Sequence, residues 1–354
     1  MAYLSYSHSS VKGIVSVVPP YKESVQDYIY FNTQEAEKFS SSTGIYNRHL
    51  VKDSGLTSSD LCLRAAEKLI YNLQWEKETI DGLIFVSQTR DYILPSTSCI
   101  LQNKLGLKED CYTIDIPYGC SGYLYGLQVA DSLVETGQLK RILLLVGDVI
   151  TPHHNIQDKS SHPLFGDAGT ATAIEYTQDV SETYFHFATD GSGYNSIIIP
   201  DGGYRNRVSK SSFELRDYGD EGCRTNLDCS LNGMDVFSFG ITKAPLSVKK
   251  LMEKHNLTPG MVDYFVMHQA NRFLNEKIRK KLKINEEKTP YSLSEYGNTS
   301  CASIPITICS QISKEVSTNK LSLLMNAFGV GLSWGSAWIT LDKIFCEKPI
   351  VYEL

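Results

Sequence analysis

The sequence predicts a layered α/β protein built from two related halves, and three observations carry that prediction. Apolar strand-like runs alternate with helical patterns along 354 residues, as expected where helices are layered on sheets. Four short stretches recur in the same order half a chain apart. No low-complexity linker divides the repeats, so two halves, residues 1–178 and 179–354, are expected to pack as one rigid body. The length itself exceeds what one hydrophobic core usually organises.

In chain order, "TSSDLCLRAAEKLIYNLQ" opens with a capping signal at Thr57 or Ser58 and repeats apolar residues at Leu61, Ala65, Leu69 and Leu73, which predicts a helix. The buried strand "IDGLIFVSQ" follows. After "DIPYGCSGY" comes the helical "SGYLYGLQVADSLVETG", stopped by Gly137, then the strands "KRILLLVGD" and "GDAGTATAIE". In the second half, "FGITKAPLSVKKLMEKHNL" ends before the breaker Thr258-Pro259-Gly260. "VDYFVMHQ" then echoes the strand at residues 80–88, with His268 where Ser87 stands. "SEYGNTSCA" echoes "DIPYGCSGY", and a helix follows it despite Pro305. "KLSLLMNAFG" and "SWGSAWITL" complete the repeat. Residues 182–231, rich in Gly, Ser and Tyr, form an excursion.

Hydrophobic residues at 42% and charged residues at 21% are ordinary globular usage. A formal net charge of −6 disfavours a nucleic-acid partner. The longest apolar run, residues 142–146, falls far short of the roughly 20 needed to cross a bilayer. The first ten residues lack a secretory pattern. The nine cysteines show no C-x-x-C pair, so a cytoplasmic protein without a membrane segment, metal or cofactor is expected. Cys62, Cys99, Cys111, Cys301 and Cys309 read as small core residues, and His153, His154 and His162 as loop residues.

The two Tyr-Gly echoes differ at their third residue, Cys120 in one and Asn298 in the other. A pseudo-twofold between the halves would set these turns face to face, with His268 on the neighbouring strand end. Cys120 starts a helix, where the dipole and orphan N–H groups should hold its pKa below the roughly 8.5 of a free thiol. Gly119 and Gly122 permit a tight turn and close substrate approach.

Together "GCSG", "HQAN", "GNTSCASIP", "FGDAGTA" and "AFGVGLSWGS", with "TGIYNRH" and "PSTSC", resemble the β-ketoacyl-acyl-carrier-protein synthase III family of the thiolase superfamily. The likeness runs from about Gly13 to Leu341. The resemblance implies a thiolase-like fold of two βαβαβαββ halves in five αβαβα layers, as a homodimer. It implies Cys120, His268 and Asn298 as the catalytic triad. The thiol takes an acyl group from acyl-CoA or an acyl-carrier protein, and a decarboxylating malonyl-acyl-carrier protein attacks it. His268 and Asn298 then donate to the enolate, while backbone N–H groups at Cys120 and along Phe328, Gly329 and Val330 hold the acyl oxygen. The same resemblance assigns Leu94 and Tyr118 to the acyl pocket.

This chain departs from the family at Lys38 and Ser42, where members that take acyl-CoA often carry Trp and Arg, and in placing Arg272 directly after "HQAN". Lys243, Lys249, Lys250 and Lys254 with Arg272, and a second run of Arg279, Lys280, Lys281 and Lys283, suit an acidic carrier or a solvated basic face. The order Cys, His, Asn also occurs in papain-like thiol hydrolases, but there Asn lies behind the imidazole, whereas duplication sets it opposite the cysteine. An acyltransferase of this fold without chain extension, or a non-catalytic ketosynthase-like subunit, are the remaining alternatives; the latter would tend to lose a triad member.

Overall fold

The computed structural model describes residues 2–353. Its first large sheet runs in the order Phe345–Cys346, Ser9–Val18, Ala168–Tyr176, Arg141–Asp148, Gly82–Val86, Tyr112–Ile116, with Ile350–Val351 also paired to Ser9–Val18. The second runs Ala2–Tyr6, Thr183–Thr189, Ser333–Asp342, Lys320–Gly329, Tyr264–Met267. In both, two antiparallel pairings lead to a parallel one, the second through Val266 opposite Met325 and the first through Val86 opposite Val146.

Five layers result. The helices Gly122–Val134 and Ser303–Thr318 lie between the sheets, where Leu124, Leu127, Ile304 and Ile308 join Val146 and Met325 in one core. Ser58–Leu73 and Thr97–Leu105 cover the outer face of the first sheet. Gly233–Lys254 and Arg272–Leu282 cover that of the second. Three of the four echoes fall on equivalent strands, and the Tyr-Gly echo falls on the turns that lead into the two central helices. The division at residue 178 lies between Ala168–Tyr176 and Thr183–Thr189, but the terminal strands cross it, Ala2–Tyr6 joining the second sheet and the last two strands the first.

Local signals explain the helix ends. Thr57 caps Ser58–Leu73 in a reciprocal box with Asp60, two orphan donors being satisfied at once. Pro305 falls in the first turn of Ser303–Thr318, where a missing N–H costs no helical hydrogen bond. The repeat breaks at one strand of the sheets. The first contains the strand Tyr112–Ile116, but the corresponding stretch of the second holds only the short helical turns Glu286–Lys288 and Leu293–Tyr296. Its sequence, "NEEKTPYSLSEY", has neither alternation nor β-branched runs, and Pro290 cannot donate to a ladder. Among the described residues, no helix is long and apolar enough to cross a membrane. No group of three or more His, Cys, Asp or Glu side chains among the described residues is placed to hold a metal. Cys99 is a correction: Cys62, Cys111, Cys301 and Cys309 are buried, but Cys99 is exposed on the outer side of its helix.

Candidate active site

Two turns into the central helices, one from each half, close on a single cavity of ≈ 180 Å³ lined by Cys120, His268 and Asn298 together with Gly329 and Val330. The Cys120 turn is tight, with the Gly122 N–H donating to the Gly119 carbonyl at 2.6 Å. Both glycines are required by space. A Cβ at Gly119 would lie 2.1 Å from Gln88 Oε1, and one at Gly122 2.7 Å from Val86 Cγ1. Gly329 roofs the thiol so closely that a Cβ there would sit 2.6 Å from Cys120 Sγ.

Burial pushes the Cys120 thiol up to about 11, against the backbone N–H groups of Val330 and Cys120, which favour the thiolate, while Asp148 adds to the rise. This corrects the expectation of a depressed value. The helix terminus is there, but an apolar enclosure penalises the anion more than the dipole rewards it.

His268 follows the strand Tyr264–Met267, its N–H bound to the Asn326 carbonyl at 2.8 Å. Its ring is buried, with Nδ1 2.8 Å from Ser303 Oγ and edge-on to Phe328, 89° between planes. Desolvation lowers its pKa to about 4, opposed only by a hydrogen bond to the Ser300 backbone. It is therefore neutral near pH 7, suited to donating a hydrogen bond rather than to storing a proton. Gln269, next in the chain, pins the turn through its Oε1, which accepts from the Ser292 N–H at 3.1 Å.

Asn298 is placed by Gly297, whose φ of 62° favours glycine, and by a bridge to Phe165. Its N–H donates to the Leu164 carbonyl at 2.9 Å. The Ser300 N–H donates to Asn298 Oδ1 at 3.0 Å. That bond fixes the amide flip, so the carbonyl end is occupied and the NH2 end serves the cavity. An imidazole and a carboxamide thus offer donors beside a thiol, and backbone N–H groups at Cys120 and Val330 face the sulfur.

Other expected residues fall elsewhere. Phe328 lines the cavity with Gly329 and Val330. Tyr118 is not among the residues lining this cavity; its ring packs 4.4 Å from Tyr125. Leu94 is 81% exposed, beside exposed Tyr92 and Ile93, and does not line this cavity. Lys243 lies over the Trp334 ring at 5.4 Å. Lys249, Lys250 and Lys254 lie about 18–26 Å along the helix from Phe237, which lines the cavity. Arg272 is engaged within the chain, 2.6 Å from Glu286 and stacked 4.0 Å over Tyr291. Sequence reading missed Gln88, His154 and Cys229, which also line the cavity; no local pattern marks them.

A thiol at a helix start facing donors from a duplicated half, on a five-layer fold, defines a thiolase-type acyl-transfer enzyme. The family "3-Oxoacyl-[acyl-carrier-protein (ACP)] synthase III" matches residues 114–193, and its C-terminal family matches residues 252–341. A beta-ketoacyl-[acyl-carrier-protein] synthase III of Aliarcobacter butzleri is 31% identical over 93% of this chain and 97% of its own length. One from Lactococcus lactis is 32% identical over 85% and 89%. The crystal structure of a 3-oxoacyl-(acyl-carrier protein) synthase from Burkholderia xenovorans is 34% identical, covers 99% of both chains and superposes with a TM-score of 0.93. The chain belongs to the β-ketoacyl-acyl-carrier-protein synthase III family, and as such is an acyl-transferring condensing enzyme of fatty-acid biosynthesis.

Proposed function

We propose that Cys120 takes an acyl group from a thioester and that His268 and Asn298 support its decarboxylative condensation with malonyl-acyl-carrier protein. The observation that carries this reading is the meeting of the three side chains in one cavity. In the first step the sulfur bonds to the acyl carbon, the donor's C–S bond breaks, and the thiol proton ends on the departing thiol. In the second, malonyl loses CO2, and its enolate carbon attacks the acyl carbon as the Cys120 bond breaks. The enolate oxygen gathers charge, and the neutral imidazole and the Asn298 NH2 are donors suited to it. Splitting the transfer lowers each barrier.

The units of the duplication are residues 1–178 and 179–354, with terminal strands exchanged. A homodimer is proposed on the exposed apolar run Tyr92, Ile93 and Leu94, with Leu94 reaching the partner's acyl pocket; light scattering that finds only monomer at micromolar concentration would exclude it. The carrier is proposed to dock near Lys243, the lysine of that helix nearest the cavity. The abundance of unbridged cysteines supports a reducing, cytoplasmic setting, which cell fractionation tests.

The deciding experiment is intact-protein mass spectrometry after incubation with acyl-CoA and acyl-carrier-protein panels, followed by malonyl-acyl-carrier protein. Acyl mass on wild type, its absence in Cys120→Ser, and release of a 3-ketoacyl product are expected. Stable acylation of the serine variant would refute the assignment of the nucleophile.

A further inference from the structure

A second hollow opens on the outer side of the second sheet, between the last turns of Gly233–Lys254 and Arg272–Leu282. Its volume is ≈ 300 Å³, and it shares no lining residue with the Cys120 cavity. The floor is apolar, formed by Met252, Val262, Leu282, Ile284 and Leu324, of which Val262 and Leu324 are buried. One wall is left unfilled because the short turn Pro259–Met261 carries a glycine at its centre. A Cβ at Gly260 would meet nothing nearer than Thr258 Oγ1 at 3.9 Å. The space is therefore open to a ligand, at the lower end of the roughly 300–1,000 Å³ usual for small-molecule sites.

The rim carries one sign of charge. Lys283 and Lys288 line it beside Asn285, and no acidic side chain does. Lys283 is exposed and Lys288 half-buried, so both ammonium groups can be reached. Among the described residues neither meets a carboxylate, and the Lys288 ammonium donates only to the Val262 carbonyl. A cation drawn partly out of water towards a neutral acceptor alone gains further from an anion. The adjoining helix end makes no demand on these lysines. Its Arg279 and Lys280 carbonyls accept from the Ile284 and Lys283 N–H groups, and the Arg279 guanidinium donates to the Ile284 carbonyl.

We propose that this hollow is a second ligand site, separate from the acyl cavity, for a fatty carboxylate. The chain lies on the apolar floor, and the carboxylate accepts from Lys288 and Lys283. An apolar cavity of about 150 Å³ holds benzene, so twice that volume suits a chain of about eight to twelve carbons. A small inorganic anion would leave the floor unused, and an amine would meet two like charges.

The test is calorimetric titration with octanoate, 1-octanol and octylammonium, after alkylation of Cys120 by iodoacetamide to obstruct the acyl cavity. Octanoate should bind saturably and about tenfold or more tighter than the alcohol, as hydrogen bonds to a charged group allow, and octylammonium should not bind. Gly260→Phe fills the hollow from its open wall and should abolish octanoate binding. Lys283→Gln with Lys288→Gln should weaken octanoate about tenfold and leave the alcohol unchanged. Octanol binding as tightly as octanoate overturns the proposal, as does octanoate binding that survives Gly260→Phe, or no octanoate binding to the wild-type chain. Should Gly260→Phe not fold, the lysine pair decides, since those changes leave the floor and the turn intact. Binding is read without turnover, so a Cys120 that accepts no acyl group would alter none of these outcomes.

Discussion

Asn298→Asp separates the two half-reactions more cleanly than any truncation. The replacement keeps the oxygen that accepts from the Ser300 N–H at 3.0 Å and therefore the local turn, while the NH2 aimed at the cavity becomes an oxygen. Loss of one preorganised donor to a developing oxyanion typically costs about 3 kcal/mol, or 10²–10³ in rate. Above its pKa the carboxylate also repels the enolate, so decarboxylation at pH 8 should fall at least about a thousandfold. Acylation of Cys120, which leans on backbone N–H groups at Cys120 and Val330, should change less than about fivefold. The sign of the pH effect follows: as pH falls and the new carboxyl protonates, its O–H can donate, so condensation should partly recover while wild type does not. Single-turnover acyl loading by mass spectrometry and CO2 release from malonyl-acyl-carrier protein measure the two steps. Equal losses in both, or no loss of CO2 release, would refute the donor role of Asn298.

Because burial holds the Cys120 thiol up to about 11, its alkylation by iodoacetamide should quicken about tenfold per pH unit from pH 7 to 10; a plateau by pH 8 would show a depressed value after all. Lys38 and Ser42 are exposed and supply neither a stacking face nor a guanidinium for adenine, a pairing worth about 0.5–2 kcal/mol, so acyl-carrier protein should outperform the same acyl-CoA in kcat/KM. Lys38→Trp with Ser42→Arg should narrow that gap, and a wild-type preference for CoA would sink the idea. Lys243→Glu should raise KM for the carrier severalfold at unchanged Cys120 alkylation, whereas Lys254→Glu, at the far helix end, should not; equal effects would move the docking face. Asp131, joined to Ser9 at 2.5 Å and Thr183 at 3.1 Å, is raised by burial from 3.8 to about 7. Its contribution is full below about pH 4 and is lost as pH rises through 7, by up to about 4 kcal/mol. The stability difference between wild type and Asp131→Asn should therefore shrink from pH 4 to 8, and a constant difference would refute it.

The sequence by itself determined the duplication, because strand and helix periods are local and a repeat preserves them. Leu61, Ala65 and Leu69 are buried as their spacing required, and Thr57 caps as its neighbours required. It also marked Cys120, His268 and Asn298, since glycine-flanked turns and a polar strand end are visible without coordinates. The missing strand of the second half was hidden by the strength of the repeat around it, which argued for symmetry where "NEEKTPYSLSEY" argued against. Only the tertiary structure decided the state of the thiol, because a pKa depends on what surrounds a group in space, and Gly329, more than two hundred residues away, encloses it. His154 shows the same limit. In sequence it is one of a cluster of loop histidines; only folding sets it in the cavity wall, stacked on Phe165 and held by Ser161.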